Sequence, residues 1–134
     1  MFDLIQTWMH PQEKKLILDS LTEDTVMLEW GSGGSTIEFS SIVSKYYSIE
    51  HNFDWYTKIN EEIKNYPLND IDYRFVKQNL ERTPGQSTYA EFKDYIDEVD
   101  KFNDKFDVVL IDGRARRLCA KKVIPYLKEN SVIF

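Results

Sequence analysis

Apolar positions along the chain follow two rhythms. Short runs have the length and the β-branched or aromatic character of strands: Val26-Met27-Leu28, Tyr46-Tyr47-Ser48-Ile49, Ile71 to Val76, Val108-Val109-Leu110-Ile111 and Val132-Ile133-Phe134. Between them, apolar residues recur at helical spacing: Leu16, Ile17 and Leu21; then Ile37, Phe39 and Ile42; then Trp55, Ile59 and Ile63. The same spacing returns in Phe92, Tyr95, Ile96 and Val99, and in Leu118, Val123 and Leu127. The pattern predicts helices over residues 10–22, 35–44, 55–65, 89–99 and 114–127, with strands between them and a fifth strand over 131–134. Pro11 suits a first helical turn, Pro67 stops the third helix and Pro125 distorts the end of the last. The four aliphatics of 108–111 suit a central parallel strand covered on both faces.

Strict alternation of this kind implies a mostly parallel sheet of about five strands, joined by right-handed crossovers and covered by helices on both sides. The expected fold class is therefore α/β, a three-layer α/β/α arrangement, with residues 1–134 forming one domain. In such sheets ligands lie beyond the carboxyl ends of the strands, where the strand order reverses. The chemistry to look for therefore stands where each strand ends.

The first strand ends in Glu29-Trp30-Gly31-Ser32-Gly33-Gly34-Ser35-Thr36, an acid followed by three glycines and flanking hydroxyls, after which helical spacing resumes. Glycines let the chain turn sharply and let a ligand approach the main chain, and the free N–H groups opening the next helix favour an electron-rich partner. The second strand ends at Glu50, twenty-one positions beyond Glu29. That spacing places a carboxylate beside the glycine loop, where it can accept hydrogen bonds from a ribose diol. Beyond the third strand, Gln78 and Asn79 offer amides suited to an adenine edge. The fourth strand ends at Asp112, either a cap for the following helix or a catalytic or ligand group. Trp8 and His10 are further candidates for a pocket wall, and the stretch 81–87 has the composition of a substrate-contacting loop.

Charge and composition narrow the class of partner. A net charge of −6 opposes broad attraction to nucleic acid. No apolar run approaches the roughly 18–20 residues that a membrane crossing needs, and no signal peptide is evident. With one cysteine, Cys119, an internal disulfide is ruled out, and a cytoplasmic location is the simplest expectation. The partner expected on these grounds is a small molecule.

Residues 29–36 resemble the first motif of the class I S-adenosylmethionine-dependent methyltransferases, an acid-x-Gly-x-Gly-x-Ser/Thr pattern. Ser48-Ile49-Glu50-His51-Asn52 is similar to that family's ribose-binding acid, and Phe106 to Gly113 resembles its fourth-strand motif. The resemblance covers residues 25–134 and implies a Rossmann-like fold that binds S-adenosyl-L-methionine. The cofactor contacts it implies are Glu29, Gly31, Ser32, Gly33, Gly34, Ser35 and Thr36 in the loop, then Glu50 and His51, then Gln78, Asn79 and Asp112. Asp112 is the expected general base or substrate orienter, with His51 as a helper.

Two departures qualify the likeness. Metal-using small-molecule members often follow Asp-Gly with another acid or a histidine, whereas Arg114-Ala115-Arg116-Arg117 follows here. No metal is expected, and Arg114 and Arg116 are candidates for binding an anionic substrate. A full fold of the family has seven strands, so a five-stranded chain implies a fragment or a minimal variant. The rival readings are an NAD(P)-binding oxidoreductase-type domain, whose fingerprint wants glycine where Thr36 stands, and a noncatalytic module. Such a module would assemble, as a homo-oligomer for instance, through an open C-terminal edge strand.

Overall fold

A computed structural model describes residues 9–68, 70–81 and 88–134. The elements run α1 (Pro11–Asp19), β1 (Val26–Trp30), α2 (Gly34–Ser40), β2 (Lys45–Glu50), α3 (Phe53–Ile63), β3 (Asp70–Phe75), α4 (Tyr89–Asp97), β4 (Phe106–Ile111), α5 (Arg116–Val123) and β5 (Leu127–Ile133). Short 3₁₀ turns follow α4 (Glu98–Lys101) and α5 (Ile124–Tyr126). All strands are parallel, in the order β3-β2-β1-β4-β5. The α/β class and the five-stranded parallel sheet match the sequence expectation.

Alternation along the strands divides the core into two sides. Leu28 and Trp30 of β1, Tyr47 and Ile49 of β2, and Val109 and Ile111 of β4 face α4 and α5, where Phe92, Tyr95, Ile96, Cys119 and Val123 cover them. On the opposite side Met27, Tyr46, Val108 and Leu110 meet Ile17 and Leu21 of the N-terminal segment and Phe39 and Val43 around α2. Ile37 and Ile59 join α2 to α3 in a smaller cluster that also takes Trp55, Ile63 and Tyr73. Three layers result, with the sheet in the middle. Trp30, fully buried, donates its indole N–H to the Tyr95 carbonyl at 3.0 Å and so ties β1 to α4.

Four of the five helices are shorter than periodicity predicts, and α3 keeps the predicted length but starts two residues earlier, at Phe53. His10 precedes α1 as its N-cap, its Nδ1 accepting from the Gln12 N–H at 3.1 Å. Leu16 is 61% exposed, because it lies about 100° around the helix from Ile17, the residue that faces the sheet. The second helix ends at Ser40, four residues before the predicted end. Pro125 falls in the 3₁₀ turn after α5 and helical structure goes no further, so Leu127 opens β5 opposite Phe106. The strand then bulges before Val132 pairs with Val108. Ser131 closes the bulge: its hydroxyl accepts from Lys128 N–H and donates to the Phe106 carbonyl, both at 2.7 Å. Trp8 and residues 82–87 of the predicted loop lie outside the described residues.

Candidate functional site

Sheet order reverses at the central pair β1–β4, and the two strands leave that point through glycines. Gly31 has φ +92°, a left-handed conformation, and a Cβ there would stand 2.7–2.8 Å from backbone atoms of Asp112 and Gly113. A Cβ on Gly113 would collide with the Tyr95 hydroxyl. The strand ends are thus packed main chain to main chain, with Gly31 N–H donating to Ile49 and Asp112 N–H to Trp30, each at 2.8 Å. Gly33 differs. Its backbone is extended, and an added Cβ would meet only Trp55, at 3.8 Å.

Beneath the loop lies Glu29, fully buried. Its carboxylate accepts from the hydroxyls of Ser35, Thr36 (2.6 Å) and Ser48 (2.6 Å), and Thr36 Oγ1 in turn accepts from Gly33 N–H at 3.0 Å. Burial pushes the Glu29 carboxyl up to about 7, outweighing the hydroxyl hydrogen bonds that pull the other way. Glu29, Ser35 and Thr36, expected at a cofactor surface, instead form an internal brace. They clamp the end of β1, the start of α2 and β2 together, and none of them borders the cleft above. Gly34, the first residue of α2, is buried with them.

Glu50 stands at the opposite edge of the loop. One carboxylate oxygen accepts from both the Ser32 N–H (2.8 Å) and the Ser32 hydroxyl (2.7 Å), and the other accepts from Asn52 N–H (3.0 Å). His51 Nδ1 is 3.4 Å from that second oxygen. Burial alone would raise this carboxyl, but His51, Ser32 and Asn52 together hold it below the ordinary range. Glu50 is therefore an ionised acceptor at the cleft, while Glu29 below it is near neutrality. Tyr73 of β3 meets the Ser32 hydroxyl at 2.6 Å, and Trp55 of α3 donates its indole N–H to the Ser32 carbonyl at 2.7 Å. Ser32 is the point where four elements meet.

Above these residues opens a cleft of ≈ 650 Å³ bounded by Gly31, Ser32, Glu50, His51, Trp55, Lys58, Asp112, Gly113, Arg114 and Arg116, among others. Lys58 lies 5.2 Å over the Trp55 ring. Asp112 is half exposed, its carboxyl raised by burial against the lowering effect of Arg116, whose Nη2 is 3.2 Å away. A second cleft of ≈ 610 Å³ continues from His51 past Phe53 and Phe75 to Gln78 and Asn79. Gln78 donates to the Leu80 carbonyl (2.9 Å), and the Asn79 side chain is spent on Asp94. The structure thus gathers Gly31, Ser32, Glu50, His51, Asp112, Arg114 and Arg116 around one cleft, with Gln78 and Asn79 at its extension. Gly33 lies beside it, against Trp55.

Trp55, Lys58, Asn52 and Asp54 were not singled out from the sequence as cleft residues. Trp55 reads there as one member of the α3 packing stripe. The available signal was Asn52, which caps α3 by accepting from Trp55 N–H at 2.9 Å and so fixes the first turn of that helix against the end of β2. Among the described residues, no group of three or more His, Cys, Asp or Glu side chains stands together as metal donors. None of the described helices is long and apolar enough to cross a membrane.

A glycine turn after β1, an acid after β2 and reversal of order between β1 and β4 define a Rossmann-like α/β domain. The chain is similar to a methyltransferase-like protein from Silicibacter pomeroyi DSS-3, with 25% identity and a TM-score of 0.71 over 89% of this chain and 66% of that one. Precorrin 8w decarboxylase from Methanobacterium thermoautotrophicum gives a TM-score of 0.71 at 14% identity, over 98% of this chain and 64% of the other. A dimethyladenosine transferase from Plasmodium falciparum gives 0.50 at 13% identity, over 81% and 32%. The last two likenesses are of fold alone. The chain spans just under two thirds of the length of each of the first two proteins. No family model matches the sequence, and no curated protein matches it.

Proposed function

We propose that this chain binds S-adenosyl-L-methionine in the cleft over β1, β2 and β4 and serves methyl transfer to a small anionic acceptor. The observation that carries the reading is the junction of Gly31, Ser32 and Glu50, which brings the glycine turn and an ionised acid together on one wall of the cleft. The donor set suits the cofactor. A carboxylate has about four acceptor positions; the protein's own N–H and O–H groups fill three on Glu50, and the Ser32 hydroxyl is exchangeable for a ribose hydroxyl. Lys58 can meet the carboxylate of the amino-acid part, Asp54 and Asp112 its ammonium, and Phe53 and Phe75 offer an apolar extension for a base, with the Gln78 amide at its edge.

Bound there, the cofactor supplies an electrophilic methyl sulfonium. The chain's contribution is chiefly positioning, which can itself be worth a large part of a barrier. Asp112, with its raised pKa and its place beside Gly113, is suited to take a proton from an acceptor or to orient it, and Arg114 and Arg116 to hold the acceptor's charge. The lone buried thiol of Cys119 is at home in a reducing compartment such as the cytoplasm.

Calorimetric titration of the full chain tests the reading. S-adenosylhomocysteine is expected to bind and to raise the melting temperature, and NAD to do neither. Binding of NAD alone would favour the oxidoreductase class. If neither ligand binds and the chain self-associates through β5, the assembly module is the better description.

A further inference from the structure

Residues 113–128 carry six cations, Arg114, Arg116, Arg117, Lys121, Lys122 and Lys128, and no acid. Removing these six from a net charge of −6 leaves −12 on the rest of the chain. Two of them are internally compensated: Lys122 pairs with Asp97 and Asp100, and Lys128 with Asp107. Arg116 is partly so, through Asp112. No carboxylate of the described residues pairs with Arg114, Arg117 or Lys121.

These three cations share a place. With Gly113, Ala115, Arg116 and Leu118 they line a separate cleft of ≈ 480 Å³ along the first two turns of α5. Gly113, Arg114 and Arg116 also belong to the cleft over the glycine loop, so the two are continuous through the end of β4. Ala115, at φ +51°, is the residue that makes this junction. It turns the chain in a left-handed conformation between Asp112-Gly113 and α5, and no side chain caps the helix it opens. A non-glycine residue in that region carries a backbone cost.

Resting on the methyl-transfer reading, we infer that the α5 cleft formed by Arg114, Arg116, Arg117 and Lys121 binds a compact polyanion, a phosphate or pyrophosphate group carried by the methyl acceptor. A single carboxylate would leave most of this charge unmatched, whereas guanidinium forks suit the several oxygens of a phosphate. A long polyanion fits less well. Nucleic acid needs a track of cations, and here they are confined to one short helix and the turn before it, while Glu50, Asp54 and Asp112 line the adjoining cleft. The anionic group would anchor the acceptor in the α5 cleft and direct its reacting atom past Asp112 toward Gly31.

The test uses the full chain, inorganic pyrophosphate as probe, and the double variant R117Q/K121Q, whose two sites are exposed and border only the α5 cleft. At constant ionic strength, pyrophosphate is expected to bind the wild type saturably and the variant about tenfold or more weakly. S-adenosylhomocysteine affinity should be equal in both. Absence of saturable pyrophosphate binding, or equal binding by the variant, overturns the inference. So does a short mixed-sequence single-stranded RNA that binds at least tenfold tighter than pyrophosphate and loses that binding in the variant. Pyrophosphate binding without S-adenosylhomocysteine binding supports the anion site and overturns the methyl-transfer reading that makes it an acceptor site.

Discussion

Glu50 and Ser32, 18 residues apart, are joined twice through one carboxylate oxygen, by the Ser32 N–H at 2.8 Å and its hydroxyl at 2.7 Å. The acid at the end of β2 thereby both holds the glycine turn and borders the cleft above it. If it also accepts ribose hydroxyls, Glu50→Gln should weaken S-adenosylhomocysteine binding on the order of tenfold to a hundredfold, the range of a lost charge-assisted hydrogen bond. The variant keeps the side-chain shape, so its melting temperature should fall by only a few degrees. Unchanged affinity in a calorimetric titration would remove Glu50 from the ligand site and leave it the structural tie alone.

Gly31 and Gly33 should respond differently to alanine. At Gly31 the left-handed φ and the backbone of Asp112 and Gly113 leave no room, so Gly31→Ala should cost about 4 kcal/mol or more, seen as a large drop in the urea midpoint. At Gly33 the backbone is extended and the nearest atoms are an ordinary contact away. Gly33→Ala should therefore fold with nearly wild-type stability. A selective loss of S-adenosylhomocysteine affinity in that variant would mean that its glycine serves ligand approach.

Stability should depend on pH through Glu29. Its carboxyl is raised in the folded state from 4.5 to about 7, so the native protein holds this proton more tightly than the unfolded chain. The associated stability is complete below about pH 4.5 and is lost as pH rises to about 7, a change on the order of 3 kcal/mol for a group this buried. Glu29→Gln removes the titration. Between pH 5 and 7 the melting temperature of the wild type is expected to fall relative to that of the variant, and parallel pH profiles would contradict the assignment. The lowered Glu50 carboxyl acts in the opposite sense and at lower pH, its contribution being lost as pH falls below the ordinary carboxylate range.

Trp55 clamps the loop through its indole N–H on the Ser32 carbonyl, and it borders the cleft. Trp55→Phe keeps most of the packing and deletes the hydrogen bond, with an expected loss of about 1 kcal/mol. Hydrogen exchange at the loop amides should accelerate while that of the β1 and β4 cores stays slow. Equal acceleration throughout would mean that Trp55 supports the domain as a whole.

Much of the fold is legible in the sequence, because alternation with period two and recurrence near 3.6 are imposed locally by strand and helix geometry. The end of β4 at Ile111 follows directly from the apolar run 108–111 that stops at Asp112-Gly113, and the strand starts two residues before that run, at Phe106. The chain's own residues likewise announce a glycine turn, an acid twenty-one positions on and a cationic segment after Asp112. Helix ends are less legible, since packing and capping decide them. Pro125 permits a 3₁₀ turn and then releases Leu127 to pair with Phe106, a long-range contact that local periodicity does not register.

Tertiary structure alone decided the division of labour among residues of the same kind. Glu29 and Glu50 both end parallel strands beside one loop, yet one is buried in hydroxyls and driven toward neutrality while the other is held ionised at a cleft. What surrounds each carboxylate depends on strand register and on α2 and α3 folding back over the sheet. The same holds for Trp55, which a helical stripe assigns to packing and which three-dimensional placement brings to Ser32. The glycine loop, the alternation of strands and helices and the charge of α5 are properties of the chain. The cleft they enclose exists only once the sheet has brought the ends of β1, β2 and β4 to one edge.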